Sequence, residues 1–194
     1  MSLGQFSIGV HINFAAGHAK LDYLLETIKP KTILDLIGAR WLSYIDQSFT
    51  TRGRGAWPPL AQSTLDMRER GGNAPLQDRG TYRADWTVKQ TDSKTFLTIG
   101  NNIKTAGGIP LASIHEGGTG PYVIAARRAK VLAAKTRFGS WFFFGKQVNH
   151  PGLPARPVLP TAAEAERMAV TTINEMFEIT VKNADAKART HGGN

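Results

Sequence analysis

The apolar stripe between Leu34 and Phe49 constrains the fold more than any other part of the chain. Leu34, Ile37, Trp41, Ile45 and Phe49 recur at steps of three and four, and Ile33 and Leu42 widen the stripe. That spacing puts large apolar side chains on one face of a long helix, and the face has to be covered. Pro30 or Lys31 falls in its first turn, where a missing N–H costs little. Arg52-Gly53-Arg54-Gly55 supplies a glycine stop. A second stripe (Ala165, Met168, Ala169, Thr172, Ile173, Met176 and Phe177) predicts a C-terminal helix capped by Thr161. Leu21, Leu24, Leu25 and Ile28 predict a shorter helix ahead of Pro30.

Elsewhere the period falls to two. Phe6, Ile8, Val10 and Ile12 alternate within Gln5–Ile12. Tyr82, Ala84, Trp86 and Val88 alternate with Arg83, Asp85, Thr87 and Lys89, which predicts a half-buried strand. Gln90–Lys94 reads as a turn and Thr95–Gly100 as the partner strand. Gln62 or Ser63 opens a short helix through Arg70, and Leu111–Glu116 forms a helical turn ended by Gly117-Gly118-Thr119-Gly120. Tyr122–Ala126, Val131–Ala134 and Ser140–Gly145 are three further strands. Asn149–Pro160 carries Pro151, Pro154, Pro157 and Pro160 and is extended. Adjacent strands without interleaved helices predict an α+β fold. Its antiparallel sheet carries the long N-terminal amphipathic helix, with the C-terminal helix packed on it, plus an extended basic hairpin. With 194 residues against roughly 150 per domain, a single α+β domain is expected over residues 31–182. Residues 1–30 form an N-terminal extension, and 183–194, without large apolar side chains, a flexible tail.

Several kinds of chemistry are excluded. Cysteine is absent, which removes disulfides, thiolate zinc sites and cysteine nucleophiles. His115-Glu116 starts like a zinc-protease motif, but Thr119 stands where the second histidine belongs. Gly117-Gly118-Thr119-Gly120 lacks the lysine of a phosphate-binding loop, and no Gly-x-Ser-x-Gly occurs. Asp78, Asp85 and Asp92 lie across loops and a strand and do not cluster. The expectation is a protein that is not an enzyme, with no cofactor and no metal. No apolar run approaches the ~20 residues of a membrane helix. Met1–Gln5 lacks a basic n-region and an apolar h-region, so neither a membrane span nor a secretory signal is expected.

What remains is charge. Lys plus Arg number 24 against 15 for Asp plus Glu, a net +9. Between Gly117 and Ala163 there are seven cations and no acid: Arg127, Arg128, Lys130, Lys135, Arg137, Lys146 and Arg156. Tyr122, Phe138, Trp141, Phe142, Phe143 and Phe144 interleave with them. Such a segment is either a solvated loop face or a surface for DNA or an acidic protein. The interface candidates are Arg127, Arg128, Lys130, Lys135, Arg137, Trp141, Phe142, Phe143, Phe144 and Arg156. The first five are expected on a hairpin that projects from the body. Arg156 is expected to anchor the Pro-rich stretch by a salt bridge or by bonds to carbonyls.

The ordered set of segments resembles the virion morphogenesis or tail completion proteins of Mu-like and related tailed phages. The resemblance is carried by Phe49-Thr50-Thr51-Arg52-Gly53 with Gly55-Ala56-Trp57-Pro58-Pro59-Leu60 and Ser63-Thr64-Leu65, and by Pro75–Tyr82. It continues in Leu111-Ala112-Ser113-Ile114-His115-Glu116-Gly117-Gly118 and Gly152-Leu153-Pro154-Ala155-Arg156-Pro157-Val158-Leu159. It spans about Leu34 to Phe177. Pro75–Tyr82 departs from the Leu-x-x-Thr/Ser-Gly-x-Leu turn usual in that family, and residues 121–150 look more like the broader group of phage neck proteins. The resemblance implies a structural protein at the head–tail junction or tail top, a neck, tail completion or tail terminator component. It further implies self-assembly into a ring, a hexamer or dodecamer, with neck or tail-tube proteins as neighbours. Double-stranded DNA would pass through the lumen. The location implied is the virion, with assembly in the host cytoplasm. A closed ring needs two different patches per subunit: the aromatic strand with the Pro-rich arm, and the first long helix. Two alternatives stand beside this reading. One is a sequence-nonspecific nucleic-acid-binding module; the other is a phage lytic or processing enzyme.

Overall fold

The computed structural model describes residues 6–10, 26–28, 30–70, 72–90, 97–127 and 129–191. It is a mixed helix and sheet structure with small antiparallel sheets, compatible with α+β. The elements are β1 (Phe6–Val10), α1 (Pro30–Thr50), α2 (Gln62–Met67), α3 (Thr81–Ala84), β2 (Thr87–Gln90) and β3 (Leu97–Asn101). They continue as α4 (Leu111–Gly117), β4 (Tyr122–Ala125), β5 (Leu132–Lys135), β6 (Trp141–Gly145), β7 (Gln147–His150) and α5 (Ala162–His191). Where one body over 31–182 is expected, contacts divide the chain into two compact units. Among the described residues, the first holds Ile45–Trp86 and Asn101–Leu159; the second holds Ser7–Tyr44, Thr87–Gly100 and Pro160 onward.

The second unit contains the sheet β1-β3-β2, so β1 belongs to this body and is more than an extension. β2 and β3 pair antiparallel with Val88 opposite Ile99. Ile33, Leu34, Ile37 and Trp41 of α1 are buried, with Leu97 and Ile99 of β3 and Ala165, Ala169 and Ile173 of α5. Gly38 lets α1 approach the hairpin: a Cβ there would lie 2.8 Å from Val88 Cγ1 and 3.5 Å from Leu97 Cδ2. Arg40 on α1 pairs with Glu175 on α5 at 2.6 Å. Thr161 and Glu164 start α5 with a reciprocal cap. The Thr161 N–H donates to Glu164 Oε2 at 2.9 Å, and the Glu164 N–H to Thr161 Oγ1 at 3.3 Å. The helix then runs on to His191, through much of the stretch expected to be a loose tail.

The first unit is built around aromatic rings. Phe49 meets Trp57 and Tyr82 edge to face, each at 5.8 Å, and Tyr82 meets Trp86 at 5.8 Å. Here the expected strand over Tyr82–Val88 is wrong in its first half. Thr81–Ala84 is a helical turn, and extended pairing begins at Thr87. The alternation of Tyr82 and Trp86 also fits a helical step of four, and both are buried. The short helix expected through Arg70 ends at Met67, because Arg68 is extended and buried. Its guanidinium donates to the carbonyls of Gly72 and Ala74. The helix expected over Leu21–Ile28 and the turn after Gln90 lie largely outside the described residues.

Candidate functional site

Residues 122–150 form one long antiparallel ribbon made of two ladders. β4 pairs with β7, Tyr122 opposite His150, and β5 pairs with β6, Lys135 opposite Trp141. A fourth strand, β7, thus occupies part of what reads in sequence as the approach to the Pro-rich stretch. Val148 and His150 alternate there, but four residues are too short a run to separate from a loop. The ribbon is pinned at its root: the Thr119 N–H donates to the Leu153 carbonyl at 2.8 Å, and Leu153 returns the bond at 3.2 Å. This crossing requires glycine on both strands. A Cβ on Gly118, at φ +69°, would lie 2.6 Å from the Leu153 oxygen. One on Gly152, at φ +95°, would collide with the Thr119 carbonyl.

Trp141 and Phe143 stack on one face of β6, and Phe142 and Phe144 on the other, each pair at 6.5 Å. Every residue of β4 and β6 is exposed. Phe138 at the tip is 74 % exposed, Phe143 69 % and Trp141 58 %. Fully burying one such side chain is worth about 1.5–3 kcal/mol, so the ribbon leaves several kcal/mol unrealised while it faces water.

The cations follow the same ribbon. Arg127, Lys130, Lys135 and Arg137 are exposed and make no ion pair with a described residue; Arg128 lies outside the described residues. Lys135 Nζ sits 6.0 Å from the Trp141 ring and the Arg137 guanidinium 4.5 Å from Phe138. The ribbon does not project freely as expected. The Arg137 N–H donates to the Asp66 carbonyl at 3.1 Å, bringing the tip back onto α2.

Arg156 belongs to a different place. It is 5 % exposed, and its Nη2 donates to the carbonyls of Pro58 and Pro59 at 3.1 and 3.3 Å. Trp57 Nε1 donates to the Pro157 carbonyl at 3.0 Å, so two bonding systems tie the Pro-rich stretch to the segment after α1. Glu116 Oε1 accepts the N–H groups of Val158 and Leu159 at 2.8 and 3.3 Å. Between ribbon and body, within this one unit, lies a cavity of about 1110 Å3. Ile124, Leu132, Phe144 and Val148 line its ribbon side; Tyr82, His115 and Arg156 line its body side. The sequence gives one signal for this cavity, the juxtaposed His115-Glu116, which reads there only as a failed metal motif. Among the described residues no group of three or more His, Cys, Asp or Glu is placed to hold a metal ion, and no helix is long and apolar enough to cross a membrane.

Compared with known proteins, the chain matches no family model, no curated protein and no solved structure.

His115 and its neighbour Glu116 are both shifted from their ordinary values. Burial, helped by the Arg156 charge, pushes His115 down to about 4. Burial raises Glu116, and the two N–H groups it accepts only partly offset this. A histidine depressed in the folded state binds protons more readily when unfolded. Its contribution is complete above about 6.5 and is lost as pH falls towards 4, by about 3 kcal/mol in all. Glu116 acts with the opposite sign: its raised value favours the protonated folded form, so its term weakens as pH rises through that value. Urea unfolding from pH 7 to pH 4 should therefore show a loss of stability that His115→Gln flattens. Equal slopes in the variant and the parent would remove His115 as the source.

Proposed function

We propose that the chain is a structural protein of a tailed-phage virion, acting at the head–tail junction or tail top by assembling into a ring. The observation that carries this reading is the ribbon over 122–150, with aromatic side chains exposed on both faces and cations that have no acidic partner among the described residues. A two-stranded ribbon is marginal on its own, and a large exposed apolar patch marks a contact surface. The order of sequence segments supports the phage setting. Light scattering and negative-stain microscopy test it, with the chain alone and mixed with its neighbouring neck or tail-tube protein. The expected result is a closed ring, a hexamer, with an opening wide enough for duplex DNA. A monomer under both conditions would defeat the proposal.

A second reading, sequence-nonspecific binding of nucleic acid, is favoured by the four cations Arg127, Lys130, Lys135 and Arg137, which form no ion pair among the described residues. If all four meet phosphates of duplex DNA, log K should fall with log salt at a slope of about −3 to −4. Contact would be sequence-blind, because transit through a channel must work for every sequence. No measurable DNA affinity in dilute salt would leave the cations to an acidic protein neighbour.

A further inference from the structure

Three residues that line the cavity each carry a buried polar atom with no hydrogen-bond partner among the described residues: Tyr82 Oη, His115 Nδ1 and Arg156 Nε. Tyr82 and Arg156 are each 5 % exposed. The three residues are neighbours. The Tyr82 and His115 rings lie 5.2 Å apart, and the Arg156 N–H donates to the His115 carbonyl at 2.6 Å. Among the described residues Arg156 also makes no ion pair. Its Nη2 takes neutral carbonyls, while Glu116 is turned to the N–H groups of Val158 and Leu159. A buried guanidinium with a spare N–H, next to a hydroxyl and an imidazole, lacks one thing: an anionic acceptor.

The opposite wall defines the rest of the ligand. It is apolar, with Ile124, Leu132, Phe144 and Val148. Three successive residues of β5, Leu132-Ala133-Ala134, line it, and among the described residues β5 pairs with β6 alone, so no described strand covers its other edge. An unpaired edge beside apolar side chains is how an extended peptide is held by strand addition. We infer that this cavity binds an extended, largely apolar peptide segment of a partner protein, whose Asp or Glu carboxylate reaches Tyr82, His115 and Arg156. The ribbon of a second copy does not fit, since residues 117–163 contain no Asp or Glu. The inference does not depend on the virion reading.

The test uses the full chain, immobilised, and two C-terminally amidated octapeptide pools. Their positions are randomised among Val, Ile, Leu, Thr and Ser, with one position held as Asp or Glu in the first pool and as Asn or Gln in the second. Mass spectrometry of the retained peptides should show the acidic pool enriched at least tenfold over the amide pool. Tyr82→Phe removes only an unpartnered hydroxyl, so its melting temperature should match or exceed the parent's while the enrichment falls below threefold. The imidazole nitrogen resonances of His115 should shift when an enriched acidic peptide is added. Retention of neither pool, equal retention of both, enrichment that survives in Tyr82→Phe, or a His115 signal that does not move would each overturn the assignment. Displacement of the peptide by an equal concentration of octanoate would overturn the peptide as ligand.

Discussion

Replacing Trp41 with alanine should lower stability by about 3–5 kcal/mol, the range for removing a buried aromatic side chain. Trp41 is fully buried in the second unit, on the α1 face that also buries Ile37. Its Nε1 has no hydrogen-bond partner among the described residues, so the indole acts there through its size. Trp41→Phe should therefore recover much of the loss. Urea unfolding followed by far-ultraviolet circular dichroism measures both. A Trp41→Ala chain within about 1 kcal/mol of the parent would mean that the helix collapses over the gap or that the residue bears no load.

The second large effect concerns association. Serine at both Trp141 and Phe143 removes the outward aromatic pair of the ribbon. Both side chains are mostly exposed, so monomer stability should change by no more than about 0.5 kcal/mol. If the pair sits in a subunit contact, two aromatic anchors at roughly 2 kcal/mol each weaken that contact by about a thousandfold. Sedimentation should then show the ring dissociating at concentrations where the parent stays closed. Glutamine at Arg127, Arg128, Lys130, Lys135 and Arg137 is the companion change; on the proposed virion role it should lower the yield of filled, tailed particles while leaving the monomer folded. Unchanged assembly in both variants would return the ribbon to a solvated face.

The parts of the fold that were legible in sequence are those whose side chains state their own period. The α1 stripe identified Ile37, Trp41, Ile45 and Phe49, and all four are buried. Thr161 marked the start of α5, and the structure adds Glu164 as its reciprocal partner. Tyr82–Val88 misled because a helical turn followed by a short strand places Tyr82, Trp86 and Val88 in the same alternating pattern as one longer strand. The end of α5 was hidden because Ala184, Ala186 and Ala188 are strong helix formers that carry no amphipathic signal. The ribbon was visible as strands, cations and a hairpin, yet the β4–β7 ladder was not, because its strands meet across more than twenty intervening residues. The cavity was invisible for a similar reason: Tyr82, His115 and Arg156 are far apart in the chain, and only the fold brings them to one wall.

The position of the cations on the ribbon also bears on how the chain survives before it meets a partner. Trp141-Phe142-Phe143-Phe144 combines high β-propensity with unpaired strand edges and no proline, the makings of uncontrolled edge-to-edge stacking. Lys135, Arg137 and Lys146 flank it as gatekeepers. Their mutual repulsion reaches about 10 Å in 0.1 M salt but only about 3 Å in 1 M salt. The free chain is thus a colloid held apart by its own charge: dilute buffer should keep it dispersed, and concentrated salt should favour aggregates.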